Sequence, residues 1–186
     1  MEYYNNKYLS THVLFYLNNN FTNIKLLYNN QKFDKFILKC NFKNQNYILK
    51  ISLNGRKDDS IIFNNIKEKC KYIMYSLKKI YINNDIILIY KYYENGDLFS
   101  YINKNNHIKV SLIRKIVLQI LEVLVFLKKY NIIHIDLKAE NILLDKKNNI
   151  KVIDFEHSEI IKNNNVKKLS IRGTYIYLPP ESIFNN

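Results

Sequence analysis

His134-Ile135-Asp136-Leu137-Lys138-Ala139-Glu140-Asn141-Ile142-Leu143-Leu144 is the stretch on which the fold turns. Taken singly, its polar residues are bland: an Asp or Asn in a loop is usually a turn former or a cap, and a lone His a core or loop residue. They do not stand alone. Thirteen residues after Asn141 comes Asp154-Phe155-Glu156, and further on lies Gly173-Thr174-Tyr175-Ile176-Tyr177-Leu178-Pro179-Pro180-Glu181. The order and spacing of the three segments carry the information.

Working outward, residues 111–130 form the clearest helix. Leu112, Ile116, Ile120, Leu124 and Leu127 recur at three- and four-residue steps, with Ser111 as the expected N-cap. Downstream, residues 141–144 and 150–153 are short alternating segments joined by the turn-like Asp145-Lys146-Lys147-Asn148-Asn149. Upstream, Ile86-Ile87-Leu88-Ile89-Tyr90 reads as a buried strand, and Asn95-Gly96-Asp97 breaks the chain and caps a short helix from Leu98. Phe36-Ile37-Leu38-Lys39-Cys40 and Asn46-Tyr47-Ile48-Leu49-Lys50-Ile51 read as a β-hairpin. Residues 60–77 are expected to be helical at their start, with 72–76 open to a strand reading. The first 30 residues, rich in Asn and Tyr, read as a loose arm or an irregular first strand.

Composition is a poor guide here. The chain has 29 Asn, 29 Ile and 26 Lys against 3 Arg, 3 Gly, 2 Pro and a single Ala, Ala139, a skew of the kind A+T-rich codons produce. A 47% hydrophobic, 24% charged chain of 186 residues suits one domain or two small lobes and excludes a wholly disordered chain. The net charge of +13 raises polyanions as partners. It is carried by scattered Lys rather than Arg, with only Lys162, Lys167 and Lys168 clustered, so no specific nucleic acid is expected. Cys40 and Cys70 lack metal-ligand or disulfide spacing. No run is long enough for a membrane span or a signal peptide. A reduced, intracellular, cytoplasmic protein is expected.

The three segments, in this order and behind a long amphipathic helix, resemble the catalytic loop, metal-binding triplet and activation-segment end of a eukaryotic-type protein kinase domain. The resemblance implies a two-lobed α+β fold, with residues 33–93 as a small β-rich N-lobe and 94–186 as a partial helical C-lobe. Residues 1–32 are an arm outside that scheme. It also implies ATP-dependent phosphoryl transfer to Ser/Thr hydroxyls of a protein substrate, with ATP between the lobes and Mg²⁺ as cofactor. Asp136 would orient the substrate hydroxyl or accept its proton, and Lys138 would contact the transferring phosphate. Lys at that place points to Ser/Thr acceptors. Asn141 and Asp154 offer hard oxygen ligands for Mg²⁺. Lys50 resembles the strand lysine that meets the α- and β-phosphates, and Glu68, the only acidic residue from 60 to 84, is its candidate helix partner. Tyr92 resembles the hinge residue at the adenine, Asp97 falls near the ribose, Leu143 packs beneath the adenine, and Tyr90 takes the gatekeeper place.

The departures are as specific. No glycine precedes Lys50, so the Gly-rich loop that lets backbone amides approach the phosphates is missing. Ile48 stands where the family has a small Ala. Ile135 replaces the arginine that pairs with a phosphorylated activation loop, which implies no such switch. Glu156 replaces the glycine of the metal-binding triplet. The likeness runs from residue 33 to 181, truncated after the activation segment, so an apolar face of the 111–130 helix is expected to be exposed and to take a protein partner. A catalytically impaired pseudokinase acting as a binding scaffold is the alternative reading.

Overall fold

Leu9, Val13, Leu17 and Phe21 recur every fourth residue around the cap Ser10, and a helix forms between the first and the last of them where the Asn-rich stretch reads as a loose arm or an irregular first strand. The computed structural model describes residues 5–30, 34–55, 61–64, 66–161, 173–178 and 180. The chain forms two units. Met1–Asp58 and Tyr75–Tyr92 make the first, a sheet unit, and Asp59–Met74 with Tyr93–Asn186 the second, a loop unit.

In the sheet unit, α1 (Thr11–Asn20) starts at Ser10, whose Oγ accepts from the Val13 N–H at 3.3 Å. Ser10 Oγ also donates to Asp85 Oδ2 at 3.1 Å, while Asp85 Oδ1 accepts from the Asn54 N–H at 3.0 Å. The run of asparagines at the far end has a use. Asn19 and Asn20 side chains donate to the Phe15 and Tyr16 carbonyls one turn back, adding side-chain bonds to the last turn of the helix. The strands are β1 (Thr22–Asn30), β2 (Lys35–Phe42), β3 (Gln45–Ser52), β4 (Lys78–Ile82) and β5 (Asp85–Lys91). They pair antiparallel in the order β1-β2-β3-β5-β4. Phe36, Leu38, Cys40, Leu49, Ile51, Ile87 and Ile89 present one face, against which Leu9, Val13, Leu17 and Phe21 pack. Strand alternation supplies the first set and helical spacing the second. Residues 11–30 are therefore ordered elements of this unit. Within them β1 is irregular, with register shifts between Thr22 and Lys25 and between Leu26 and Tyr28.

The expected hairpin is β2–β3, with Lys43 and Asn44 both at positive φ in a two-residue turn. Asn23, Asn44, Asn54, Asn83, Asn131 and Asn148 all adopt left-handed backbone. In a chain with three glycines, asparagine, the next most tolerant residue, takes the turn positions.

In the loop unit, α2 (Leu98–Lys104) is capped by Asp97, which accepts from the Ser100 N–H and Oγ, both at 2.8 Å. The main helix, α3, spans Val110–Lys129. Short pairs follow: β6 (Ile132–Ile133) with β9 (Glu159–Ile160), and β7 (Ile142–Leu144) with β8 (Ile150–Val152).

Three local expectations are corrected. Ser111 is not the cap of α3: Lys109 holds that place, without a side-chain bond. The buried stripe of α3 is Ile116, Gln119, Val123 and Leu127, and Leu124 is 42% exposed. The stripe includes a glutamine because Gln119 is fully used: its Nε2 donates to Asn149 Oδ1 at 3.1 Å and its Oε1 accepts from the Ile150 N–H at 2.9 Å. On the rest of α3, Val110, Ile113, Val117, Leu118, Leu121 and Val125 are exposed. Finally, residues 61–64 and 66–77 contain only a 3-10 turn at Ile61–Phe63, with no α-helix among the described residues. Paired asparagines and β-branched isoleucines make poor helix there. Residue 73 bridges to Val152 instead.

Candidate active site

The loop that opened the sequence reading is a knot of hydrogen bonds. Asp136 is buried, and its Oδ1 accepts from both the N–H and the Oγ1 of Thr174, each at 2.8 Å. Its Oδ2 accepts from Asn141 Nδ2 at 3.1 Å and faces Lys138 Nζ at 2.9 Å. Asn141 Nδ2 also donates to the Asp136 backbone carbonyl at 2.8 Å, and Lys138 Nζ donates to Thr174 Oγ1. Asp136, Lys138 and Asn141 are thus brought together by local chain geometry: the 3-10 turn Ala139–Asn141 folds the amide back onto the carboxylate. Burial pushes the Asp136 carboxyl upward, but the donors of Lys138 and Thr174 outweigh it and hold it below the usual aspartate range. The carboxylate stays ionised and fixed in orientation, which suits it to align a hydroxyl.

Asp154 reaches this region through its neighbour. The Ile153 N–H donates to the Asn141 carbonyl at 2.9 Å, and His134 Nε2 donates to the Ile153 carbonyl at 3.0 Å. Asp154 itself is left-handed at φ 64°, and the turn sends Phe155 inward, its ring 4.6 Å from His134 and 4.7 Å from Phe63. Burial lowers the His134 pKa, so the ring is neutral with its proton on Nε2. Its Nδ1 has no partner among the described residues.

Two backbone positions are unusual. Ile135, where the sequence reading noted a missing arginine, has φ 71°, a costly conformation for a β-branched residue. Gly173 has φ +102°, and a Cβ there would lie 3.0 Å from the Ile135 carbonyl oxygen and 3.6 Å from Asp136 Oδ1. Gly173 and Thr174 are the residues that sequence reasoning quoted without assigning a role. The signal was present: one of only three glycines stands directly before a hydroxyl residue.

The other expected site residues are placed as follows. Asp97 caps α2 and forms a bridge with Leu143, so these two adjoin. Lys50 belongs to the sheet unit, buried on β3 in register with Ile37 and Leu88. Tyr92, at the edge of the same unit, carries Lys39 Nζ 4.0 Å over its ring. Glu68 is not on a helix, and its exposed carboxylate pairs with Lys129 Nζ at 2.7 Å. The expectation of a helix around Glu68 is thereby corrected. Pro179, Glu181, Lys162, Lys167 and Lys168 lie outside the described residues.

Residues 20–186 match the family model described as the protein kinase domain. The chain belongs to the protein kinase family. Over 123 residues it is 32% identical to mitogen-activated protein kinase kinase 2 of Arabidopsis thaliana, covering 66% of this chain and 34% of that protein. It is 34% identical over 99 residues to the carbon catabolite-derepressing protein kinase of Secale cereale, covering 53% and 20%. It is 35% identical over 104 residues to serine/threonine protein kinase OSK3 of Oryza sativa subsp. indica, covering 56% and 20%. The kinase-family chain therefore spans about a third or less of these relatives' lengths. Among its described residues no helix is long and apolar enough to cross a membrane. Neither cysteine is in a disulfide, and burial pushes the Cys40 thiol up to about 12.

Proposed function

We propose that this kinase-family chain transfers a phosphoryl group from ATP to Ser/Thr hydroxyls of protein substrates, with Mg²⁺ as cofactor. The observation that carries this reading is the fixed carboxylate of Asp136, with Lys138 Nζ at 2.9 Å and Asn141 folded onto it. Such chemistry asks the protein for positioning and charge more than for covalent steps. Asp136 orients the acceptor hydroxyl and takes its proton, and Lys138 places a positive charge beside the transferring phosphate. The donor set fits Mg²⁺. The Asn141 amide nitrogen is committed to Asp136, which leaves its carbonyl oxygen as a hard ligand, and Asp154 adds a carboxylate. Bound Mg²⁺ would supply charge neutralisation on the phosphates. By family position, Lys50 is assigned to the α- and β-phosphates, Tyr92 and Leu143 to the adenine, and Asp97 to the ribose.

Two observations favour a second reading, a pseudokinase scaffold: no glycine precedes Lys50, and Glu68 is engaged with Lys129. A thermal-shift titration with ATP, with and without Mg²⁺, separates the two. A ligand that binds only the folded state stabilises it by roughly 2.7 kcal/mol at a hundred times its dissociation constant. A Mg²⁺-dependent shift that Asp154→Ala abolishes is the expected result. A well-folded chain with no shift would overturn the catalytic reading in favour of the scaffold.

A further inference from the structure

A cavity of about 520 Å³ opens in the loop unit, and none of Asp136, Lys138, Asn141 or Asp154 lines it. Its volume falls within the roughly 300–1,000 Å³ of small-ligand sites. Three separate stretches supply cationic side chains to its wall: Lys109 from the α2–α3 connection, Lys115 from the second turn of α3, and Lys147 from the β7–β8 turn. His107 and the Ser111 hydroxyl add further polar groups, and no carboxylate lines it among the described residues. Tyr101, Ile108 and Leu112 give the same cavity an apolar wall.

One of the three cations, Lys115, is held, and the nearby acids are otherwise occupied. Lys115 Nζ donates to the Lys147 carbonyl at 2.7 Å, which ties α3 to the turn and leaves two of its N–H donors over. Asp145 shares its charge with Lys115, but its oxygens already accept from the Lys147 N–H, the Asn149 N–H and Asn149 Nδ2. Glu94 is paired with Lys146 at 3.3 Å, and neither lines the cavity. The first turn of α3 reinforces the bias. Its cap residue makes no side-chain bond and the turn contains no acidic residue, so its N–H groups present positive potential without internal neutralisation.

We propose that this cavity binds a phosphate monoester bearing an apolar or planar organic group. Such a ligand carries nearly two negative charges on three acceptor oxygens, which matches a wall lined by lysines from three chain segments. Its organic part would lie on Tyr101, Ile108 and Leu112. A carboxylate, with one charge and two oxygens, would leave part of the set unused.

The test is a calorimetric titration of the full chain, without ATP, using phenyl phosphate and inorganic phosphate. Phenyl phosphate is expected to bind more tightly than inorganic phosphate. The double variant Lys109→Gln/Lys147→Gln, at two exposed positions, should weaken it about tenfold, the scale of lost charge-assisted bonds. Lys146→Gln, which removes one adjacent charge outside the cavity, should leave binding unchanged. Equal weakening by Lys146→Gln would mean diffuse charge and overturn the proposal, as would no binding at millimolar phenyl phosphate. Displacement by a single-stranded oligonucleotide that binds more tightly would overturn it in favour of nucleic acid. A phosphotyrosine peptide binding more tightly than free phosphotyrosine would place the ester on a protein, and equal affinities would place it on a small metabolite.

Discussion

The core of the sheet unit and the Asp136 region of the loop unit are held by different forces. In the sheet unit, Val13 and Leu17 of α1 meet Phe36, Leu38, Leu49, Ile51 and Ile87, all essentially without exposure, and the energy lies in apolar area. In the loop unit, the region around Asp136 is set by directed bonds from Thr174, Asn141 and Lys138, by His134 on the Ile153 carbonyl, and by left-handed residues at 135 and 154. Apolar packing tolerates exchange of similar volumes. A directed network does not, because each lost partner strands a buried polar group.

Substitutions test this contrast. The largest effect is expected at Asp136→Asn, which should reduce phosphate incorporation about 10²–10⁴-fold, the range for a positioned acid–base group, while leaving the sheet unit's NMR signals in place. Unchanged turnover would remove Asp136 from the chemistry. Next comes Leu17→Ala, which should cost about 2–5 kcal/mol in denaturant unfolding. A loss well below that range would show that α1 can be dispensed with. Gly173→Ala should cost about 1–3 kcal/mol through its backbone conformation and should shift the Thr174 amide resonance more than the global midpoint.

The two units should also differ in pH response. His134, lowered by burial, is neutral in the fold, so its contribution is fully present above 6.5 and is lost as pH falls below that value. Asp136 and Asp145 are both held below their usual range despite burial, and their contributions are present above 3.8 and lost as pH falls through their folded pKa values. All three lie in the loop unit. In the sheet unit Cys40 and Tyr16 are raised by burial. The Cys40 contribution is present below 9.0 and lost as pH rises toward about 12. Tyr93, also raised by burial, and the exposed Lys71 and Lys129, raised by their hydrogen-bond partners, give the loop unit alkaline groups of its own. Isoleucine methyl spectra across a pH titration should show the loop unit loosening first in acid and the sheet unit first in alkali. Simultaneous loss at both ends would show the two units melting as one.

The family, the β2–β3 hairpin, β5 and the α2 cap at Asp97 were legible because each rests on a local pattern: alternation, a two-residue turn, or an N-cap before an apolar run. α1 was legible in principle, since Leu9, Val13, Leu17 and Phe21 are evenly spaced around the cap Ser10, but asparagine runs obscured it. The sequence by itself determined which residue types stand in the Asp136 loop and in what order. Only the tertiary structure decided what they touch. It set Thr174 on Asp136 across 38 positions and turned Glu68 to Lys129 across 61. It also buried Gln119 where a leucine stripe was expected. The reason is physical: spacing along the chain specifies local dihedrals and faces, whereas a hydrogen bond between distant segments depends on how the intervening elements pack.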